Sequence, residues 1–149
     1  MPTNLEKMKI AIGCDHAGYE LKDFVKKQLL GGGHIVEDLG TNGSDSVDYP
    51  DFGHAVCNGV ESAKADFGIL ICGTANGMAM TANKHKGIRC GLCWLPEIGA
   101  LTKQHNNANV IALPARFISN EMGWDIIQAY MKADYEGGRH QRRVDKIAC

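Results

Sequence analysis

Short apolar runs of strand length alternate along this chain with longer stretches of helical periodicity. Met8-Lys-Ile-Ala-Ile-Gly13, His34-Ile-Val-Glu-Asp-Leu39, Phe67-Gly-Ile-Leu-Ile71, Gly87-Ile-Arg-Cys-Gly-Leu-Cys-Trp94 and Asn109-Val-Ile-Ala-Leu113 are the strand candidates. The third is almost wholly apolar, as expected of a strand covered on both faces. Between them, Leu21, Phe24, Val25 and Leu29 form one stripe of a helix over 19–30, which Gly31-Gly32-Gly33 ends. Asp51 is placed to cap a helix over 52–64, with Val56 and Val60 facing inward. Further helices are expected over 78–84, from Pro96 to Gln104, and after Ser119 or Asn120, where Met122, Ile126, Ile127, Tyr130 and Met131 share a face. Five strands alternating with five helices imply a three-layer α/β/α, Rossmann-like fold with a five-stranded parallel sheet. One domain is expected over 1–149, with a polar leader at 1–7 and a basic tail at 136–149.

Composition narrows the classes. Sixteen Lys plus Arg against seventeen Asp plus Glu leave a net charge of −1, without the electrostatic footprint of a nucleic-acid or membrane-surface binder. The first residues carry no apolar signal region and no segment has the length to span a bilayer, so a cytoplasmic protein is expected. Six cysteines in a chain patterned as a full α/β domain are expected as free thiols. Cys90-Gly-Leu-Cys93 has knuckle spacing but no second pair, and no metal site is expected there.

The chemistry concentrates where the third strand ends. Cys72-Gly-Thr-Ala-Asn-Gly77 passes from strand through a tight turn into a helix N-terminus, so that main-chain N–H groups converge on an anion or a developing oxyanion. Met78-Ala79 follow Gly77 where a P-loop needs Lys and Ser or Thr, and Ala75 stands where a dinucleotide fingerprint needs its second Gly. A Cys-based phosphatase needs Arg at position 78 and finds Met. What remains is a thiol beside main-chain donors, suited to act as base or nucleophile; the bland alternative is a small buried residue. In such a sheet ligands bind outside the strands' C-terminal ends, where Asp15, His16, Cys72, Thr74 and Arg116 are expected; His105-Asn106 precede the fifth strand.

Gly13-Cys-Asp15-His16-Ala-Gly18, Asp48-Tyr49-Pro50, Ile71-Cys72-Gly73-Thr74, Ala82-Asn83-Lys84, Gly87-Ile-Arg89, His105-Asn106 and Gly137-Gly138-Arg139-His140 occur in one order. Together they resemble the type B ribose-5-phosphate isomerases, the family that also holds galactose-6-phosphate isomerase subunits. The resemblance implies interconversion of ribose 5-phosphate and ribulose 5-phosphate through an enediolate, without metal or organic cofactor. It implies Cys72 as the base, assisted by Thr74, with main-chain donors from Gly73, Ala75, Asn76, Gly77 and Met78. It implies ring opening by His105 and Asp15, a sugar hydroxyl on Asn106, and phosphate on His16, Arg116, Arg139 and Arg143. It further implies a homodimer with shared sites, able to pair into a tetramer. Two positions depart from the pattern. Met78 stands where one branch of the family uses Glu, and Ala75 stands where Gly is usual, so a positive φ there would strain the chain and its methyl would crowd the substrate. A six-carbon sugar phosphate is the alternative substrate, and a non-catalytic sugar-phosphate module is the alternative class.

Overall fold

The computed structural model describes residues 6–149, and most of the expected leader lies outside the described residues. Five strands form one parallel sheet: β1 (Lys9–Cys14), β2 (Ile35–Asp38), β3 (Phe67–Cys72), β4 (Cys90–Leu92) and β5 (Val110–Pro114). Their order, β2-β1-β3-β5-β4, reverses direction between β1 and β3. A crevice must open there, because the connections from the two strands leave toward opposite faces.

All six residues of β3 are buried, and period-two alternation sends them to two separate cores. Phe67, Ile69 and Ile71 pack with Leu21, Val25, Ile126 and Ile127, from α1 (Tyr19–Gly31) and α5 (Asn120–Lys132). Leu70 and Cys72 face the other way, toward Val56 and Cys57 of α2 (Tyr49–Glu61) and Met78 and Ala82 of α3 (Asn76–Ala82). The expected alternation of helices and strands is therefore present, completed by α4 (Pro96–Asn106) and by α6 (Arg139–Asp145) within the tail.

Several boundaries differ from the sequence expectation. Helix α2 begins at Tyr49, so Asp51 lies in its first turn and Asp48 occupies the cap position without a side-chain bond. Pro50 explains the early start, since its fixed φ suits a first helical turn. Ser119, by contrast, caps α5 as expected, accepting from Met122 N at 3.0 Å. Strand β4 holds only three residues, because it lies at the sheet edge with β5 as its sole partner. The basic tail, expected only as an appendage, winds into α6 after Gly137 and Gly138, both at positive φ.

The α1 stripe also holds a surprise. Phe24 is only half-buried, whereas Lys22 is 1% exposed. Its ammonium meets Asp38 Oδ1 at 2.7 Å, Asn42 Oδ1 at 2.9 Å and the Thr41 carbonyl. Burial alone would raise the Asp38 carboxyl, but Lys22, the Gly40 N–H and Lys26 outweigh it and hold the group below the usual range. The charge cluster thus fastens the loop after β2 beside the end of β1, where Cys14 N donates to Gly40 O at 2.7 Å. Lys22→Met removes the cation and leaves a largely buried carboxylate with only Lys26 and Gly40. A loss of about 3 kcal/mol is expected, read from urea denaturation; a loss below about 1 kcal/mol would mean the cluster is no anchor.

Candidate active site

Main-chain hydrogen bonds bind two loops to the end of β3. Asp15 N donates to Ile71 O at 3.1 Å, Ala115 N to Cys72 O at 2.9 Å, and Arg116 N to Gly73 O at 3.1 Å. The loops after β1 and β5 are therefore held against the turn that follows Cys72. Asp15 is 8% exposed, and its Oδ1 caps the following short helical turn by accepting from Ala17 N and Gly18 N. His16 Nδ1 accepts from Val47 N at 3.4 Å, which leaves its proton on Nε2. The Arg116 side chain lies over Gly73 so closely that a Cβ there would stand 3.1 Å from the guanidinium.

The turn itself is strained. Ala75, at φ 66°, is the residue before α3, and Thr74 Oγ1 accepts from Asn76 N at 3.2 Å. The N–H groups of Asn76, Gly77 and Met78 open the helix and have no carbonyl within it to bond. The Tyr49 ring lies directly over Gly77, where a Cβ would force it to shift. Ala75 does adopt the left-handed conformation under which strain was expected, but its methyl does not face the crevice: the residue is 0% exposed and packs in the α2–α3 core. Crowding of a ligand by that methyl is therefore corrected. The Met78 side chain is likewise fully buried in that core, so only its main chain faces outward.

A second group of predicted residues lies at the opposite end of the sheet. His105 and Asn106 close α4, which Asn107 stops at φ 48° just before β5 begins. Cys72 pairs with Pro114 at the far end of β5, four residues beyond Val110. That strand length alone separates the two levels by roughly 13 Å. Arg139 and Arg143 on α6 belong to the same remote group, because Glu136 N donates to Gln104 O at 3.0 Å and ties the tail to α4. Arg116, Arg139 and Arg143 are exposed and, among the described residues, make no ion pair. The structure thus brings together Asp15, His16, Cys72 to Met78 and Arg116, and keeps His105, Asn106, Arg139 and Arg143 away from them within one chain.

Cys72 is 4% exposed, and its side chain packs with the buried residues of α2 and α3 at the end of β3. A cavity of about 660 Å³ shares Thr74 and Asn76 with the crevice but is otherwise walled mainly by apolar side chains such as Leu92, Trp94, Leu95 and Phe117. Sequence reasoning missed two neighbours: Tyr49, whose ring covers Gly77, and His140, which stacks on His105 at 4.3 Å between ring centroids. Both sit in motifs visible in the sequence, Asp48-Tyr49-Pro50 and Gly137-Gly138-Arg139-His140, but only the folded chain shows what they touch.

A cysteine at a strand end, followed by a helix whose first N–H groups lack partners within the helix, at the switch point of a doubly wound sheet, defines an anion-handling α/β protein of the enzyme type. Residues 10–147 match the model of the Ribose/Galactose Isomerase family. The chain is 44% identical over 141 residues to ribose-5-phosphate isomerase B of Escherichia coli K12, covering 95% of each chain. The structure of a ribose 5-phosphate isomerase from Thermotoga maritima superposes with a TM-score of 0.93 at 48% identity, over 94% of this chain and 97% of that one. Ribose-5-phosphate isomerase B of Mycoplasma genitalium, solved with bound ribulose-5-phosphate, superposes with a TM-score of 0.89 at 44% identity, over 93% of each. The chain belongs to the ribose/galactose isomerase family.

Two consequences are measurable. Burial pushes the thiol of Cys14 up from 9.0 to about 11, and those of Cys57 and Cys93 up to about 12. These groups stay neutral in the fold while the unfolded chain ionises them near 9.0, so their contribution is intact below pH 9 and is lost as pH rises toward 11 to 12. Stability should fall by up to about 1.4 kcal/mol per pH unit per thiol above that point; equal urea midpoints at pH 8 and pH 10 would contradict this. For Ala75→Gly, relief of about 1 to 2 kcal/mol of left-handed strain is offset by about 0.8 kcal/mol for the buried methyl and by the extra freedom of the unfolded chain. Its denaturation midpoint should stay within about 1 kcal/mol of wild type, and a larger gain would mean the strain is underestimated.

Proposed function

We propose that this protein interconverts ribose 5-phosphate and ribulose 5-phosphate in the cytoplasm, as a homodimer whose sites are shared. The observation that carries the proposal is the pinning of Asp15, Cys72 and Arg116 to one strand end, in a fold shared with a ribulose-5-phosphate-bound relative. The six free thiols and the weak net charge support a soluble metabolic enzyme in a reducing compartment.

Isomerisation moves a proton from C2 of the open aldose to C1, while the C2 hydroxyl proton ends on O1; no electrons leave the sugar. Cys72 removes and returns the carbon-bound proton. Its near-burial limits competing water, and its place at the strand end puts it beside the donors that receive the enediolate charge. Those donors are the N–H groups from Gly73 to Met78, with the Thr74 hydroxyl assisting the thiol. Asp15 and His105 open the sugar ring, Asn106 holds a hydroxyl, and His16, Arg116, Arg139 and Arg143 take the phosphate.

One chain does not complete this set, since His105, Asn106 and both tail arginines lie at the other end of its sheet. A second copy related by a two-fold axis lays its α4 and α6 ends over the crevice and supplies what is missing, and the reverse holds for the other site. Arg116, Arg139 and Arg143, without ion pairs among the described residues, then have an anion to meet.

Complementation tests both the residues and the sharing. Cys72→Ala and His105→Ala, each alone, should lose turnover. Co-expressed in equal amounts they should form hybrid dimers with one intact site, restoring about a quarter of the wild-type rate. Substantial turnover by Cys72→Ala alone would remove that thiol from the base role, and hybrids without activity would mean each site is built by a single chain.

A further inference from the structure

We propose that His105, Glu136 and His140 form a capture site for a divalent transition-metal ion of the zinc class, and that the captured ion competes with the sugar phosphate for His105. His140 Nε2 lies 3.4 Å from Glu136 Oε1, and His105 Nε2 lies 3.8 Å from the same oxygen. All three ligand atoms fall within 4.8 Å of one another. Both distances exceed a charge-assisted hydrogen bond, so the carboxylate stands off from both rings rather than being consumed by either. Ligand atoms on a tetrahedral ion with bonds of about 2.0 to 2.1 Å are separated by roughly 3.3 Å. The His140–Glu136 edge is therefore close to that spacing, and the His105–Glu136 edge must shorten by about half an ångström.

The scaffold that holds the trio is main chain. Glu136 N donates to Gln104 O at 3.0 Å, fixing the carboxylate next to the last turn of α4, which carries His105. Gly137 and Gly138, at φ 62° and 54°, reverse the chain so that His140, with its N–H on Gly137 O at 3.0 Å, returns beside Glu136. The two rings stack at 4.3 Å with 14° between their planes, and they must splay for both lone pairs to point at one ion. The terminal torsion of histidine is soft, and His105 and Glu136 keep 39% and 52% of their side-chain surface free for that adjustment. Two imidazoles and one carboxylate prefer Zn²⁺, Co²⁺ or Ni²⁺ over Mg²⁺ or Ca²⁺, and leave a coordination position for water.

The other histidine pair shows why this one is singled out. His54 Nδ1 and His85 Nε2 are 2.7 Å apart, and His85 also bonds Glu61 at 2.6 Å, so that relay leaves no space for an ion between its bonded atoms. The competition rests on the role proposed above for His105; the capture of the ion does not. By linkage, sugar phosphate that engages His105 must weaken metal binding by the same factor as metal weakens the sugar.

The test is a Co²⁺ titration of the reduced full-length protein, followed by visible absorption and equilibrium dialysis, with Glu136→Gln and His140→Gln as variants. Wild type should bind one Co²⁺ per chain with weak ligand-field bands and no thiolate charge-transfer band. Both variants should bind at least ~100-fold more weakly, and ribulose 5-phosphate should raise the apparent Kd of the wild type. In parallel, Zn²⁺ should inhibit isomerisation and EDTA should reverse it. An active enzyme that binds no Co²⁺, a thiolate band, or variants that bind like wild type would each overturn the site while leaving the isomerase proposal untouched. Metal bound by this trio with turnover unaffected would overturn the competition, and with it the role given to His105.

Discussion

A parallel sheet has two unlike ends, and no side chain on one of them reaches the other. Every strand here points the same way, so every strand-to-helix turn lies at one end and every helix-to-strand turn at the other. Cys72 closes a strand and His105 closes a helix, which places them on opposite ends by topology alone. Whatever chemistry needs both must borrow one of them from a second chain. The exposed arginines of the tail belong to the same constraint: they gather at the end of the sheet that lacks the crevice.

Within the crevice, precision comes from β3 being buried on both faces. Because Ile71 and Cys72 are locked in register between β1 and β5, their carbonyls are fixed acceptors for Asp15 and Ala115, and the Gly73 carbonyl beyond them takes Arg116. The residues that follow must then turn at once to begin α3, and the turn is made by Ala75 at φ 66°, a position that glycine would occupy without strain. Its methyl, being fully buried, recovers part of that cost through packing. Gly73 lies under the Arg116 guanidinium and Gly77 under the Tyr49 ring.

The loop after β2 is held by charge rather than by apolar burial. Lys22 gives up water entirely, and its three oxygen partners come from 38–42, a segment with little apolar surface to bury. This fixed loop ends in Val47, whose N–H sets the His16 tautomer, and in α2, whose first residue covers the turn at Gly77.

Periodicity and spacing by themselves determined the strands, their parallel arrangement, the end of the sheet that carries Cys72, and the ordered motifs that resemble one family. They did so because alternation and apolar run length report burial directly, and short motifs survive without knowledge of what surrounds them. Helix α6, the burial of Lys22, the three-residue length of β4 and the inward methyl of Ala75 were decided only in three dimensions. Each depends on a partner distant in sequence: α4 for the tail, Asp38 and the loop carbonyl at Thr41 for the lysine, a single neighbouring strand for the edge, and the α2–α3 core for the methyl. No local pattern encodes such contacts, because the energy that selects them belongs to the pair and not to either residue.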